Sequence, residues 1–479
     1  MKALKEILLI GAGNRCKILL ELLSQSSISV VVHILDTDSD KWGTQVNNYI
    51  IEPISDAYKY NDILFCITPA SFVVLETIRK EIVGKYHMDL CQEVTYQWLI
   101  MKLYNHIDLQ FDIEARKNDK VSIIFDCEYG LGLGGIEEWT KGICKEFVKH
   151  QEFPSYILCN DDINLISNEL KNHIVHVDIQ REKAFSVENV KEVIHKIAKY
   201  LPCIIVTSQP DDILLCGKLL REKYGEDVKI VSGIRGGHPE IFQRYIDMRL
   251  CTDLYVCVNS NIRKNMIALG VHKNDIYTML CPVECPDKNN RTYSMIGQPI
   301  RIGYAGRIQV DEKRADLIEK LCSELEENQI NYIFELAGEG SYENEMFHFI
   351  ENNKLKEKVK LIGKIDKMQI PAFWQTKDIC INISDHEGRS RTTIEAMANG
   401  VVPIVTETSG VYDDIEDGVN GFIVALQDYK TMAKRIKYLE ENRYLLKYMG
   451  EKAHLELKGK SNMEEHYSFW KMIISKLCE

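Results

Sequence analysis

The sequence predicts an α/β protein of three successive units, each built around a parallel β-sheet. Short apolar runs of strand length alternate with amphipathic helical patterns along the chain, and three of these runs lead into a glycine-containing turn. The length agrees with this division, because 479 residues would fill about three domains of roughly 150 residues each. Two of the units are expected to be doubly wound domains, and a smaller α/β unit precedes them.

The composition argues against several classes of protein. Hydrophobic residues make up 45% of the chain and charged residues 27%, with only 11 prolines, so long disordered segments are not expected. The net charge of -12 argues against a nucleic-acid partner, which an excess of Lys and Arg would hold. No apolar stretch reaches the roughly 18 to 20 residues of a membrane-spanning helix. The 15 scattered cysteines and the lack of a signal peptide favour the reducing cytoplasm.

The first unit, residues 1–110, is predicted to be a small Rossmann-like domain. Its first apolar run leads into Gly11 and Gly13, and its second run ends in Asp36, about 25 positions after the first glycine. These are candidate nucleotide-binding residues, but Cys16 takes the place of the third glycine of a dinucleotide fingerprint and would weaken packing on a pyrophosphate. The element order also resembles small N-terminal domains of bacterial sugar acetyltransferases and sugar-nucleotide dehydratases. A binding or docking role is therefore favoured, and NAD is not expected.

The second unit, residues 111–290, is expected to begin with a polar, charged linker at 109–120. Its first strand leads into a loop with four glycines, of which Gly134 and Gly135 directly precede a helix. Glycines let backbone amides approach a phosphate or a sugar without a side chain in between. Gly134 and Gly135 are therefore candidate ligand-binding residues.

The third unit, residues 291–479, opens with a strand that ends at Gly306. Arg307 follows directly, and Lys313 lies six residues further on, so both cations can converge on one loop. An Arg fork and a Lys point charge together suit a diphosphate. The alternative is a pair of solvated surface cations near Glu312.

The most specific segment of the chain lies in the third unit, where seven residues separate Glu387 from Glu395. Gly388 follows the first glutamate, and a helix that is expected to begin near Ser390 offers free backbone N–H groups to a phosphate. The segment resembles the Glu, seven residues, Glu motif of the retaining sugar-nucleotide glycosyltransferases of group 1 (family 4), which have the GT-B fold. Other segments match that family in the expected order, at 134–135, 281–284, 305–307 and 338–340.

The resemblance covers residues 120–479 and implies two Rossmann-like domains that face a cleft, with a C-terminal helix that crosses back onto the first of them. It implies that a sugar passes from a nucleoside-diphosphate sugar to a hydroxyl of a glycan or lipid-linked acceptor, with retention of configuration, in bacterial surface polysaccharide synthesis. No metal or other cofactor is implied, because cationic side chains would neutralise the departing diphosphate. The donor sugar, its base and the linkage stay open, since the family uses many.

The resemblance also assigns roles to single residues. Arg307 and Lys313 would hold the donor's pyrophosphate and stabilise the charge of the leaving group. Glu387 would accept hydrogen bonds from hydroxyls of the transferred sugar, and Glu395 from the ribose. The glycines counted with them as donor-binding residues are Gly134, Gly135, Gly306 and Gly388.

Three further positions near these motifs have open interpretations. The family places a histidine close to the reacting sugar, and we take His238 as the candidate, with Arg235 as the alternative match and a merely helix-capping histidine as the structural interpretation. Arg389 and Arg391 depart from the family, in which small, aromatic or apolar residues are more common. They are expected either to contact a phosphate or an acidic sugar, or to be solvated at a helix start.

Other functions stay open from sequence. The same fold supports sugar-nucleotide epimerases and phosphorylases, and the first unit could dock a partner or bind a nucleotide-sugar as a sensor. Peripheral contact with the inner face of the cell membrane is a further expectation, for which a solvated helix face is the alternative. The residues concerned form a stripe at four-residue spacing on the helix after the glycine loop: Lys141, Lys145 and Lys149.

Overall fold

The structure, a computed structural model, covers most of the chain. The residues that it describes are 4–111, 118–127, 130–132, 134–161, 167–286, 291–458, 460 and 462–479. Part of the predicted linker, at 112–117, lies outside them. Within the described residues the strands form three sheets. The predicted class, an α/β protein with several Rossmann-like parallel sheets, is confirmed.

Five strands form the first sheet: β1 (Glu6–Ile10), β2 (Val31–Asp36), β3 (Gln45–Val46), β4 (Tyr49–Pro53) and β5 (Leu64–Ile67). Their order is β3-β4-β2-β1-β5, and neighbours run parallel except for the short pair β3 and β4. Three helices accompany them: α1 (Asn14–Gln25), α2 (Phe72–Tyr86) and α3 (Tyr96–Tyr104). The strand order reverses between β1 and β5, so the loop at Gly11 lies where open α/β sheets bind ligands.

Seven parallel strands form the second sheet: β6 (Ser122–Cys127), β7 (Ser155–Cys159), β8 (Ile174–His176), β9 (Cys203–Thr207), β10 (Val228–Ile234), β11 (Leu254–Cys257) and β12 (Ile276–Thr278). Their order is β12-β11-β10-β9-β6-β7-β8, so the strand order reverses between β6 and β9. The helices of this unit are α4 (Gly135–His150), α5 (Val187–Ile197), α6 (Asp212–Tyr224), α7 (Pro239–Asp247) and α8 (Ser260–Ala268).

Six parallel strands form the third sheet: β13 (Ile300–Ala305), β14 (Tyr332–Ala337), β15 (Val359–Gly363), β16 (Ile379–Asn382), β17 (Val402–Thr406) and β18 (Phe422–Val424). Their order is β15-β14-β13-β16-β17-β18. The helices that follow this unit's strands are α9 (Ala315–Glu327), α10 (Glu343–Asn352), α11 (Ile370–Gln375), α12 (Arg391–Ala398), α13 (Tyr429–Glu441), α14 (Tyr444–Lys458) and α15 (Met463–Cys478). The order reverses between β13 and β16, which places the loops after these two strands side by side.

A continuous hydrophobic core joins the first and second sheets. Leu99 and Ile100 of α3 are fully buried in the same cluster as Ile213 and Leu214 of α6. Helix α3 also packs on α7. Each square ångström of apolar surface removed from water stabilises such a junction by roughly 25 cal/mol. The first unit is therefore packed onto the second through a shared core.

Helix α15 returns to the second unit after the chain has completed the third sheet, and it packs on α4. Trp470 of α15 is fully buried in one core cluster with Trp139 and Phe147 of α4. The indole N–H groups of Trp139 and Trp470 donate to Nε2 of His466, at 2.7 Å and 3.1 Å. The apolar face of the closing helix thus packs against the hydrophobic core of the second unit.

Candidate active site

The loops after β13 and β16 bring together residues that are far apart in sequence. Lys313 Nζ lies 2.5 Å from Glu387 Oε1, which also accepts a hydrogen bond from Ser384 Oγ at 3.0 Å. Both charged side chains are mostly buried. The strand order reverses between β13 and β16, so the loops that follow these two strands are neighbours. The fold therefore places Lys313 beside Glu387.

Arg307 occupies a different environment from Lys313. Its side chain is 59% exposed, and its Nη2 lies 3.6 Å from Glu312 Oε2. The two cations share one loop, as expected, but the lysine is held by Glu387 while the arginine extends into solvent. Arg307 can therefore move to a ligand without breaking a buried contact.

Arg314 was not singled out from sequence, although it fixes the loop that contains both cations. Its guanidinium contacts Asp316 at 2.9 Å and Asp385 at 2.8 Å. The backbone amide of Asp385 also donates to the carbonyl of Glu312 at 2.8 Å. These contacts tie the loop after β13 to the loop that contains Glu387. Its position directly after Lys313 was the only signal in the sequence.

Glu395 lies in α12, where Arg391 Nε donates to its Oε1 at 2.9 Å. The side-chain amide of Asn399 bonds to the backbone carbonyl of Glu395 at 2.9 Å and leaves the carboxylate to Arg391. Burial raises the pKa of Glu395, and the neighbouring charge of Arg391 opposes that shift. Glu395 is thus a shielded acceptor whose charge depends on a nearby cation.

Arg389 is a structural residue rather than a solvated one. Its side chain is 1% exposed, and its Nε and Nη2 each donate at 2.7 Å to a different oxygen of Asp414. A third nitrogen donates to the carbonyl of Cys281 in the second unit. The interpretation of Arg389 as a solvated residue is therefore wrong, because its guanidinium is buried and donates to protein acceptors on both units.

The loop at Gly388 lies directly against the second unit. A β-carbon at Gly388 would overlap the backbone carbonyl of Arg235. A β-carbon at Gly237 would lie 2.6 Å from the carbonyl oxygen of Glu387, and Asn259 Nδ2 donates to the carbonyl of Gly388 at 2.6 Å. The absence of side chains at these glycines is thus required for the close approach of the two units.

His238 caps a helix and also borders the loop of Glu387. Its Nδ1 accepts a hydrogen bond at 3.1 Å from the backbone amide of Glu240, in the first turn of α7. Its ring centroid lies 4.4 Å from that of His386. Burial lowers the pKa of His238 to about 4. At neutral pH the ring is therefore uncharged, and with Nδ1 as an acceptor its proton lies on Nε2.

Arg235, the alternative to His238, is held within the second unit. Its guanidinium carbon lies 3.5 Å from the centroid of the Trp139 ring, and its Nε donates to Ser208 Oγ at 2.7 Å. A further nitrogen lies 3.5 Å from Cys281 Sγ. Burial lowers the pKa of Arg235. These contacts fix Arg235, whose backbone carbonyl packs directly against Gly388.

The glycine loop of the second unit is connected to the third unit by an ion pair. Gly134 precedes α4, and a β-carbon there would overlap the carboxylate of Glu137, whereas a β-carbon at Gly135 would meet nothing within 4 Å. Glu138, in the first turn of α4, lies 2.9 Å from Lys367 Nζ. The open space at Gly135 is thus three residues from the ion pair of Glu138 with Lys367, which joins the second unit to the third.

Gly306, directly after β13, leaves room for the ring of Tyr304 from the same strand. A β-carbon at Gly306 would lie 3.1 Å from the hydroxyl of Tyr304, which donates to the carbonyl of Arg307 at 2.7 Å. The structure thus gives Gly306 a role in shaping the loop of Arg307, and its contact with a donor stays a prediction.

In the first unit, the Asp36 carboxylate is already occupied. Its Oδ2 accepts from the backbone amide of Ala12 at 2.7 Å and lies 3.2 Å from Lys41 Nζ. Gly11 has a φ of 102°, and its β-carbon would lie 2.9 Å from Thr68 Oγ1. A ribose would have to compete with these contacts for Asp36. Gly13, in contrast, faces open space.

The lysine stripe of α4 is neutralised by glutamates. Lys141 pairs with Glu138, Lys145 lies 2.7 Å from Glu169, and Lys149 lies 3.2 Å from Glu146. None of the described helices is both long and apolar enough to cross a membrane. Across the described ranges, no group of three or more His, Cys, Asp or Glu side chains is placed to hold a metal ion.

Comparison with known proteins shows which proteins this chain resembles. Residues 288–456 match the model of the family described as Glycosyl transferases group 1. The capsular polysaccharide biosynthesis glycosyltransferase CapM of Staphylococcus aureus is 21% identical over 342 residues, which cover 66% of this chain and 88% of that protein. The uncharacterized glycosyltransferase MJ1178 of Methanocaldococcus jannaschii is 23% identical over 346 residues, covering 67% of this chain and 88% of that one.

Solved glycosyltransferase structures share the fold of most of this chain. The apo form of the lipopolysaccharide outer core galactosyltransferase WaaB superposes with a TM-score of 0.60 at 17% identity, covering 74% of this chain and 100% of that one. Alr3699/HepE of Anabaena in complex with UDP gives 0.61 at 15% identity, with coverage of 74% and 100%. The fold is therefore GT-B, and the family match supports a group 1 glycosyltransferase.

Proposed function

We propose that the protein is a retaining glycosyltransferase that moves a sugar from a nucleoside-diphosphate sugar to a hydroxyl of a glycan or lipid-linked acceptor, in the synthesis of a bacterial surface polysaccharide. The observation that carries this proposal is the contact between Lys313 and Glu387 at the reversal point of the third sheet. The similarity to CapM, which is named for capsular polysaccharide biosynthesis, supports the proposed pathway. The similarity to HepE, whose structure contains UDP, supports the proposed class of donor.

Donor binding would redistribute the charges of this loop. The diphosphate attracts Arg307, which is free to move, and Lys313, which exchanges part of its contact with Glu387 for a phosphate oxygen. Glu387 then accepts hydrogen bonds from sugar hydroxyls, and Glu395 from the ribose. The ring of His238 is uncharged at neutral pH, so it borders the loop of Glu387 without adding a charge.

The transfer step needs no protein nucleophile. The bond between the anomeric carbon and the phosphate oxygen breaks, and the acceptor oxygen forms its bond on the same face of the sugar. The acceptor's proton passes to the leaving diphosphate, so the products are the glycoside and the nucleoside diphosphate. Catalysis then rests on positioning and on the stabilisation of the leaving group's charge by Arg307 and Lys313.

We place the protein in the cytoplasm, at the inner face of the membrane when its acceptor is lipid-linked. All 15 cysteines are free thiols, which fits a reducing compartment. The paired lysines of α4 leave little net charge for binding to anionic lipids. If the stripe contacts the membrane, the protein should cosediment with anionic liposomes. That binding should be lost when Lys145 and Lys149 are changed to Glu.

The proposal is tested by nucleotide release from a panel of UDP-, GDP- and other nucleotide-sugars, with and without glycan acceptors. Lys313→Ala and Glu387→Ala are each expected to lower kcat about 10²- to 10³-fold, as the loss of one group that stabilises a transition state does. The matched control is Lys360→Ala, a lysine on the exposed side of β15. Wild-type rates in both site variants would contradict the assignment. Turnover without an acceptor, or only with added phosphate, would point to an epimerase or a phosphorylase.

A further inference from the structure

Helix α7 begins beside the loop of Glu387, and the first unit holds this helix at both ends. In its first turn, Glu240 Oε1 lies 2.7 Å from Nη2 of Arg79 in α2. At its last residue, the carboxylate of Asp247 accepts a hydrogen bond from the hydroxyl of Thr95, which precedes α3. Helix α3 also packs on α7. The position of α7 in the second unit therefore depends on contacts with the first unit.

Arg79 is itself fixed within the first unit. Its Nε and Nη2 donate to the two oxygens of Glu93 at 2.8 Å and 2.6 Å, and it also pairs with Glu76, one turn earlier in α2. The side chains of Arg79, Glu93 and Glu240 are 18%, 15% and 16% exposed, so water and salt screen their charges only in part. Since one nitrogen of Arg79 contacts both Glu93 and Glu240, the arginine joins two carboxylates that would otherwise repel each other.

The residues at the start of α7 contact the loop that contains Glu387. His238 precedes the helix, and its Nδ1 accepts a hydrogen bond from the backbone amide of Glu240 at 3.1 Å. The ring centroids of His238 and His386 are 4.4 Å apart. A β-carbon at Gly237 would lie only 2.6 Å from the carbonyl oxygen of Glu387. The residue whose amide fixes His238 is thus the residue whose carboxylate the first unit holds.

The first unit also contacts the third unit directly. The hydroxyl of Ser71, at the start of α2, donates to Asp311 Oδ2 at 3.4 Å. Asp311 lies in the same loop as Lys313. Helix α2 therefore contacts the third unit through Ser71 and the second unit through Arg79, so it spans the two units that form the candidate active site.

We propose that the first unit supports the candidate active site, and that Arg79 is a positioning residue that acts through Glu240 to hold His238 and Gly237 against the loop of Glu387. This inference rests on the proposed function, because it takes the supported loop to be the one that binds the donor sugar. It gives the first unit a role in catalysis that requires no ligand of its own.

Arg79→Gln removes the charge between Glu93 and Glu240. The two carboxylates then repel each other, and the start of α7 is expected to move. Arg244, one turn further along α7, is a second cation that acts on Glu240, so the helix should stay folded. Because a displacement of about 1 Å at an active site can cost about 10²-fold in rate, we expect kcat to fall at least about tenfold. The donor KM should change by less than about twofold, since the cations proposed to hold the diphosphate are untouched.

Glu240→Gln is the second variant, and it leaves the contact of Arg79 with Glu93 intact. If Arg79 acts through Glu240, Arg79→Gln should have little further effect on kcat in the Glu240→Gln background. Arg79→Lys keeps the charge and should restore part of the rate, although a lysine lacks the fork that contacts two carboxylates. Lys80→Gln, at an exposed neighbouring position on α2, is the matched control and should have the wild-type kcat and KM.

The position of His238 can be measured without turnover, from the NMR chemical shifts of its ring nitrogens in histidine-labelled protein. His238→Gln identifies the signal by its loss. The Nδ1 shift reports the hydrogen bond from the amide of Glu240. We expect this signal to move in Arg79→Gln and in Glu240→Gln and to stay in place in Lys80→Gln.

An unmoved His238 signal in both variants, or a wild-type kcat in Arg79→Gln, would overturn the proposal. So would losses in kcat that multiply in the double variant, because they would show that Arg79 and Glu240 act independently. Glu240→Gln keeps the test valid if Arg79→Gln does not fold. If the wild type transfers no sugar but the His238 signal moves as expected, the proposed function is wrong and the positioning of His238 by Arg79 is supported.

Discussion

At the scale of single residues, the two carboxylates of the proposed donor site are each paired with a cation. Glu387 is held by Lys313, and Glu395 by Arg391. A carboxylate in a shielded site needs such a partner to stay ionised, and only an ionised carboxylate accepts from two sugar hydroxyls at once. The pairing therefore keeps both acceptors ready before a donor arrives.

Arg391 should set the pH at which Glu395 functions. Burial raises the pKa of Glu395 and Arg391 opposes that rise, so in Arg391→Ala the pKa rises further. The acidic limb of kcat/KM for the donor is then expected to move to higher pH, because the protonated group no longer acts as an acceptor. Rates from about pH 4 to about pH 8 measure this limb. Arg391→Lys should restore most of the wild-type profile, and an unmoved limb in Arg391→Ala would count against the role of Glu395.

The sequence was sufficient to select Lys313 and Glu387 as candidates, because both follow predicted strands and both lie in segments that resemble the family. Arg314 and the pair of Arg389 with Asp414 could not be predicted in the same way. Arg389 and Asp414 are 25 positions apart, and only the packing of two loops on the second unit brings them together. The structure brings Lys313 and Glu387 together, but the roles of these two residues as contacts of a donor stay predictions, as do those of Arg307, Glu395, His238 and the glycines.

At the scale of structural elements, the loop before α12 is fixed by a buried ion pair that should dominate its stability. Arg389→Ala would leave the buried Asp414 with only Lys460, 3.9 Å away, as a cationic neighbour, which costs about 3 kcal/mol, at the lower end of the range for breaking a buried ion pair. The free energy of unfolding in urea is expected to fall by that amount. Arg391→Ala breaks a more exposed pair within one helix and should cost only about 0.3–0.5 kcal/mol. Equal costs for the two variants would contradict the structural role of Arg389.

The contact between α15 and α4 should make stability depend on pH. Burial lowers the pKa of His466 to about 3, whereas the unfolded chain binds a proton near the ordinary value of 6.5. Stability from this group is therefore complete above about pH 6.5 and is lost as the pH falls, by about 1.4 kcal/mol per pH unit. His238, with its pKa also lowered by burial, contributes with the same sign.

His466→Gln tests this dependence because it removes the titrating ring. Unfolding free energies measured between about pH 5 and about pH 7 should fall less steeply in this variant than in the wild type. His348→Gln, at an exposed position in α10, should leave the slope unchanged. A wild-type slope in His466→Gln would show that the buried ring is not the source.

At the scale of the whole molecule, the alternation of apolar runs and helical patterns was sufficient to predict an α/β fold with parallel sheets. The antiparallel pair β3 and β4 was not predicted, since β3 has only two residues and so shows no pattern of its own. The common core of the first and second units was also missed. It depends on which faces of α3 and α6 meet, and periodicity within one helix does not identify the partner helix.

Deletion of residues 1–110 should therefore do more than remove a separate domain. It would expose the fully buried side chains of Ile213 and Leu214 that lie in the common core with α3. We expect the shortened chain to unfold at lower urea concentration and to aggregate. A shortened chain with the wild-type unfolding midpoint and activity would show that the first unit is dispensable.

The central claim is that the cleft transfers a sugar with retention of configuration. The most direct measurement is the anomeric configuration of the product by NMR, taken from the first turnovers with a nucleotide-sugar of known configuration. We predict that the glycoside has the configuration of the donor and that its formation requires an acceptor. A product of inverted configuration, or nucleotide release at the same rate without any acceptor, would contradict the claim.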